Sequence, residues 1–503
     1  MNVLPRKLKS GLIGVLLATA CVSASSMARQ TALVEDHPSL TITLRPETAD
    51  ARTVTGITVE QHILLPGPSR RLTLSAPLRF AGLVPVGSAI SELEVTDAHG
   101  RVDITTSDVA PPGGSLVRHW TSTHDVNGDV LVRYQLPLAP FAQSGPPFGV
   151  KAAGHGIAGN SGSLLVLPDL PDLRRSILRW DVSKMASGSQ GVIAGGSDAV
   201  TVGGPPEALL DRWLMAGPLA AGQQRHGAGF NAYTLGSPPF DKIEMMAWSR
   251  RVYASLSKAF GYLGEPDYLL LVRALDAPSY ATGTASVASA SSLITVGSPT
   301  YLPGQGEEKV KGTIAHEMTH NWVGYFGDQA APWFSEGLTV YVSATLPCET
   351  ALRPWTDCAA EINRWAKAYY GSKAAVWPND RIEESPFSEE DVRRVPYGRG
   401  MMYFANLDAE IRSCSKGRRT LLTALRPLFE ERREGKPITV KRWEAWLKHE
   451  QGLRGVSVFR QTVLEGQLIR PRPDMFGRRL RVTRTSGKER GGTAIEYAWD
   501  AKR

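Results

Sequence analysis

From about Ser39 to Pro205 the hydrophobic and polar positions alternate in short runs, LTITL, RRLTLS and DVLVRYQL among them, broken by turn residues such as Asn127-Gly128 and Pro111-Pro112-Gly113-Gly114. A period of two marks strands with one buried face, so this half is expected to be an antiparallel β domain of sandwich type. The stretch DVNGD looks like a fragment of a calcium loop but lacks the glycine and the distant glutamate of an EF-hand, and is read as a hairpin turn. After GGPPEALLDRWLMAGPLAAG the period lengthens: DKIEMMAWSRRVYASLSKAFGYLG reads as a helix and YLLLVRAL as an apolar strand. Helices are then expected over Glu308 to Tyr325, Trp333 to Thr345, Pro354 to Tyr370, Tyr397 to Arg412 and Arg418 to Arg433, with short helices and a basic strand pair after about Ile438. The pattern is a multidomain α+β chain: a signal over 1–28, a β domain over 29–210, a mainly helical domain over 211–435 and a C-terminal extension over 436–503.

Composition changes this picture little. A chain of 503 residues is too long for one core, and 42% hydrophobic with 21% charged residues is ordinary globular usage. The N-terminus stands apart: Arg6, Lys7 and Lys9 precede the apolar run GLIGVLLATACVSA, and the small residues Ser26 and Ala28 suit a secretory cut that leaves Arg29 first. A lipid-anchoring cut before Cys21 is the competing reading, disfavoured by Ala18 where such sites prefer leucine; the run is also shorter than the roughly 20 residues of a membrane span. An exported protein, periplasmic or secreted and without a span in its mature form, is therefore expected. Loss of residues 1–28 removes three positive charges and no negative ones, taking the net charge from +8 to +5. A surplus of that size does not indicate a nucleic-acid partner. In an oxidising compartment Cys348 and Cys358 could staple a loop, leaving Cys414 over, although other pairings stay open.

The chemistry concentrates in HEMTHNWVGYFGDQAAPWFSEGLTVYV, from His316 to Val342. Histidines four apart on a helix share a face and can meet one ion at about 2.0 to 2.1 Å. Val310, Ile314 and Met318 recur on a neighbouring face that can be buried. WFSE opens the next expected helix and brings a third donor, Glu336, after a turn containing Gly327, Asp328 and Pro332. Two histidines and a glutamate leave the fourth position of a single Zn2+ open, as in catalytic rather than structural sites. Other histidines, such as His155 and His226, stand alone, and there is no Walker A loop, G-x-S-x-G elbow or Rossmann fingerprint.

These residues resemble the gluzincin metallopeptidases, whose catalytic domains are thermolysin-like, and in particular the glycyl aminopeptidase-like family, which combines HExxH, a tryptophan two residues later and a WFSEG(F/L)T segment; here they read HEMTHNW and WFSEGLT. The resemblance implies His316, His320 and Glu336 as zinc ligands and Glu317 as general base. VPYGRGMMYFANLDAEIR is similar to the family's Tyr-x-Lys-Gly helix with arginine for lysine, which implies Tyr397 as the residue that stabilises the oxyanion. Two departures stand out. The fifteen residues between His320 and Glu336 are fewer than is usual in the related aminopeptidase N family. In the upstream segment, where such aminopeptidases carry a glutamate that grips the substrate's amine, this chain reads YATGTASVASASSLITV, with no acidic residue between Asp276 and Glu307. Its alternating part, Ser292 to Val296, is expected to be the strand at the cleft edge.

With the N-terminal signal, the resemblance implies an exported zinc metallopeptidase that hydrolyses peptide or protein substrates with zinc-activated water and a glutamate base. Two alternatives remain beside it: an aminopeptidase whose amine anchor lies elsewhere in the chain, and a non-catalytic cell-envelope binding protein with a relic zinc site.

Overall fold

The computed structural model describes residues 39–502 except 51–52, 79–85, 91–92, 111–115, 139–148, 223–228, 263, 265, 277–280, 298–305, 328–330, 386–388 and 490–491. The expected signal with Cys21, the Pro-Pro-Gly-Gly turn at 111–114, Asp328 and His226 lie outside the described residues. Alternation builds the N-terminal half as expected. In Val126–Pro137 the residues Val130, Val132, Tyr134 and Leu136 are buried while their neighbours face outward. That strand sits in a seven-stranded sheet ordered Ala199–Gly203, Arg175–Trp180, Ser39–Asp50, Thr53–Arg70, Val126–Pro137, Leu93–Asp97, Gly100–Arg101. A four-stranded sheet of Leu167–Pro168, Thr73–Pro77, Val117–Ser122 and Ile104–Val109 shares its apolar core. The large sheet is not wholly antiparallel, because Ser39–Asp50 runs parallel to Arg175–Trp180. Asn127 and Gly128 are not a hairpin turn: they lie inside Val126–Pro137, Gly128 at φ +73°, and the strand before them, Val117–Ser122, belongs to the other sheet.

A third sheet, Gln190–Ile193, Trp213–Gly217, Gly156–Asn160 and Lys151–Ala153, follows, in which Trp213–Gly217 pairs with both Gly156–Asn160 and Gln190–Ile193. It lies against the sheet of the second half, ordered Ala220–Gly222, Phe230–Leu235, Tyr268–Leu275, Ser291–Gly297, Thr282–Ser286. Phe230–Leu235, Tyr268–Leu275 and Ser291–Gly297 are parallel and the two outer strands antiparallel. Tyr268–Leu275 is buried at every position because both faces are covered. Leu269, Leu271, Leu275 and Leu293 meet Ala158, Val192, Trp213 and Met215 of the β domain on one face, and on the other Leu270, Val272 and Ile294 join the helical core.

Strand Ser291–Gly297 thus lies inside the sheet, and the edge is formed by Thr282–Ser286, a correction to the expectation for Ser292 to Val296. The expected helices are present with ends moved by a few residues: Glu307–Val323, Pro332–Glu349, Trp355–Tyr370, Val395–Cys414 and Leu421–Arg433, preceded by Lys242–Ala259 and followed by Val440–Phe459. The hairpin Leu480–Glu489 with Gly492–Ala501 packs on Trp355–Tyr370, and one continuous apolar core runs from Phe230 to Trp499. Cys348 and Cys358 form a disulfide between the end of Pro332–Glu349 and the start of Trp355–Tyr370, leaving Cys414 free and exposed. Among the described residues no helix is long and apolar enough to cross a membrane.

Candidate metal centre

Helix Glu307–Val323 buries Val310, Ile314, Met318 and Trp322, the last against Tyr253 and Phe260, and so turns His316 and His320 toward the next helix. Its end is firmly set. Gly324, at φ +58°, donates its N–H to the His320 carbonyl, and the Arg432 guanidinium donates to the carbonyls of Trp322 and Val323. Helix Pro332–Glu349 starts with proline in its first turn and is apolar nearly all round, which buries it. Glu336, one turn in, is carried to the two imidazoles.

His316 Nε2 lies 3.2 Å from Glu336 Oε2 and 3.2 Å from His320 Nε2, and His320 Nε2 lies 3.3 Å from Glu336 Oε2. Donors about 2.0 Å from a tetrahedral ion stand about 3.3 Å apart, so these three atoms form one face of such a tetrahedron. The residues present therefore fit a zinc ion with one position left open. Among the described residues no other group of three or more His, Cys, Asp or Glu donors converges. Thr339, one turn beyond Glu336, places Oγ1 3.3 Å from His320 Nδ1; a partner there holds the ring with Nε2 toward the site. Burial alone would raise Glu336, but the charges and hydrogen bonds of His320 and His316 hold its carboxyl well below the usual carboxylate range.

Glu317 is buried beside this group. Burial raises its carboxyl, the two histidines pull the other way, and Glu336 adds to the rise. It faces the edge strand: a Cβ on Gly283 would fall 2.3 Å from Glu317 Cγ and 2.7 Å from Oε1. Only glycine allows that approach. In the sequence nothing local marks Gly283, and the one signal for Thr339 is its spacing, three after Glu336 on the same helix.

Tyr397 comes from helix Val395–Cys414, which crosses Pro332–Glu349 without intervening side chains: a Cβ on Gly400 would fall 2.2 Å from the Trp333 carbonyl oxygen, and one on Gly337 2.5 Å from Gly400 Cα. Its ring stacks on Trp365 at 5.0 Å and on His316 at 6.2 Å. Burial, the charges of Glu336 and Glu317 and a hydrogen bond to Glu336 push its phenol well above the ordinary value, so it stays a donor at neutral pH. Arg399, in the place of the expected lysine, turns away into the core and donates to the carbonyls of Val463, Ala374, Ala375 and Trp377. All five sequence-derived residues, His316, Glu317, His320, Glu336 and Tyr397, are thus brought to one place.

No protein-family profile matches the sequence, and no curated protein matches it in sequence. Solved structures do resemble it. An aminopeptidase N family protein from Idiomarina loihiensis aligns with a TM-score of 0.67, covering 88% of this chain and 79% of that one at 13% identity. An M1 zinc metallopeptidase from Deinococcus radiodurans (TM-score 0.46, 87% and 96% covered, 16% identity) and native leukotriene A4 hydrolase from Saccharomyces cerevisiae (0.48, 87% and 69%, 15%) align more loosely. At such identities the likeness is one of fold: the chain has the fold of the aminopeptidase N family protein, with His316, His320 and Glu336 gathered in its helical half.

Proposed function

We propose that this protein is an exported zinc metallopeptidase. The observation that carries the reading is the triangle of His316, His320 and Glu336 donors, spaced for one tetrahedral face, with Glu317 buried beside it and the Tyr397 phenol above it. When bound, zinc supplies Lewis-acid polarisation of the scissile carbonyl and of the attacking water. Glu317 takes the water's proton and passes it to the leaving amine, a task that suits a carboxyl whose basicity burial has raised. Tyr397 donates a hydrogen bond to the oxygen that gains charge as the carbonyl is attacked. The edge strand Thr282–Ser286 pairs on one side with Ser291–Gly297, and its Gly283 lies against Glu317, where an extended peptide backbone can be added as a further strand. Export is supported by the basic and then apolar N-terminus and by the Cys348–Cys358 disulfide, a bond that persists in oxidising compartments.

The test is a pair of measurements on the wild type and Glu317→Gln. Both are expected to hold about one zinc per chain by elemental analysis, while the variant loses peptide hydrolysis by a factor of about 10² to 10⁴. Chelation is expected to abolish wild-type turnover and added zinc to restore it. A zinc-loaded wild type that cuts no peptide, or a variant that cuts as well as wild type, sinks the proposal and favours a binding protein with a relic site.

A further inference from the structure

Helix Glu307–Val323, whose last turn Arg432 holds, begins after Gly306, a residue with no side chain to cap it. A second guanidinium holds this end. Arg353 Nε donates to Glu308 Oε2 at 3.0 Å and Nη2 to the Glu308 carbonyl at 3.2 Å, while Lys311 Nζ donates to the other carboxylate oxygen at 2.8 Å. Glu308, Gly312, His316 and His320 are spaced four apart and so lie along one face of the helix. Arg353 runs down that face. A Cβ on Gly312 would fall 3.7 Å from Arg353 Nη1 and 3.4 Å from Glu361 Oε2, so the guanidinium and Glu361 fill the turn just before His316. Glu361 in turn accepts from Trp365 Nε1 at 3.0 Å, and Trp365 is the ring on which Tyr397 stacks.

Arg353 is buried, and the short segment that carries it is fixed from several sides. The N–H groups of Leu352 and Arg353 both donate to the Pro347 carbonyl, at 2.7 and 3.1 Å, and Trp248 Nε1 donates to the Leu352 carbonyl at 2.9 Å. Ala351 stands at φ +57°, a conformation that a residue other than glycine keeps only where the surrounding chain imposes it. The Cys348–Cys358 disulfide closes the loop around all of these. We infer that Arg353 is a positioning residue for the metal centre, held to that task by the Cys348–Cys358 disulfide. The disulfide joins the helix that carries Glu336 to the helix that carries Trp365, and from the loop between them Arg353 grips the helix that carries His316 and His320. Without that grip the first turns of the histidine helix lose their tie and fray, and a frayed site must be ordered again before it takes up metal. The inference rests on the zinc of the reading above and is independent of whether a peptide is cut.

The test measures zinc affinity against a competing chelator for wild type, Arg353→Met, Arg353→Lys and the Cys348→Ser, Cys358→Ser double variant, at a temperature where urea unfolding shows each to be folded. Arg353→Met keeps the length of the side chain and loses its donors; it is expected to weaken zinc binding by about 10- to 100-fold, the range for groups that orient ligands without touching the metal. Arg353→Lys, which keeps the charge but lacks the fork that reaches carboxylate and carbonyl together, falls between. The serine variant weakens zinc in the same direction, and Glu308→Gln added to Arg353→Met costs little more, since the partner has already gone. Amide hydrogen exchange on the zinc-free proteins supplies a readout without metal: the amides of Glu307 to Ile314 are expected to exchange faster in Arg353→Met than in wild type. The Arg353 variants leave the disulfide intact, so they decide the matter even where the serine variant fails to fold. Variants that lose stability in urea yet bind zinc as tightly as wild type overturn the inference and leave Arg353 a structural residue only. Wild type that takes up no zinc overturns the metal reading and the inference with it, whereas the expected loss of affinity in a protein that cuts no peptide upholds the inference and overturns hydrolysis alone.

Discussion

Tyr397 lies between two flat partners, the His316 imidazole and the Trp365 indole, with its phenol kept protonated by burial and by nearby carboxylates. A phenylalanine can keep both stacking contacts and loses only the hydroxyl. Tyr397→Phe is therefore expected to lower kcat by about 10²- to 10³-fold with little change in KM, the mark of an interaction made in the transition state. Steady-state kinetics checks it; a raised KM at unchanged kcat would assign the phenol to substrate binding instead. At this scale the sequence was most legible where chemistry follows local spacing. His316 and His320 share a helix face by arithmetic, and Glu336 follows within one short connection. Gly283 could not be read in the same way, since its role exists only because Glu317, thirty-four positions on, comes within a methyl group of it.

Among the elements, the helix pair Pro332–Glu349 and Val395–Cys414 decides whether Glu336 and the Tyr397 phenol come to one place. Their backbones touch at Gly337 and Gly400, where a methyl group would meet backbone rather than a yielding side chain. Gly400→Ala is expected to destabilise the fold by about 1 to 3 kcal/mol through overpacking and to cut turnover further by carrying Tyr397 away from the metal group; urea unfolding together with kinetics separates the two effects. The helices themselves were legible from their period. The edge strand was not, and the reason is physical. Ser292 to Val296 mixes polar with apolar residues like a half-exposed strand, yet every position is buried, its hydroxyls occupied by Tyr268 OH at Ser292 and Arg273 Nε at Thr295. Thr282–Ser286, the true edge, carries almost no large apolar residue and so gives little periodic signal.

Across the whole molecule, the two halves meet sheet against sheet, and a buried arginine marks the join. Arg273 reaches from the helical half to the carbonyls of Gly149 and Ala158 in the β domain, at 2.8 and 2.5 Å. Beside it, burial and then the Arg273 charge push the Lys151 ammonium down to about 8 from its usual 10.5. Between those values the folded protein has shed a proton that the unfolded chain keeps, so unfolding free energy rises with pH across that window. Denaturant unfolding from pH 7 to 10.5 is expected to show this rise in the wild type relative to Lys151→Gln; equal pH dependence in the two proteins would contradict it. The amphipathic runs foretold both halves but not this join, because leucines such as Leu269 and Leu271 read only as buried, without saying against what.

The join also sets a length. Ser286 and Asp211 meet across the boundary that the leucines close, while Glu317 is carried by the helical side alone. The two halves are then the jaws of a caliper, and their packing fixes how far the Ser286–Asp211 pair stands from the Glu317 carboxyl. A lineage that resizes the leucines at the seam would change that separation without touching His316, His320 or Glu336.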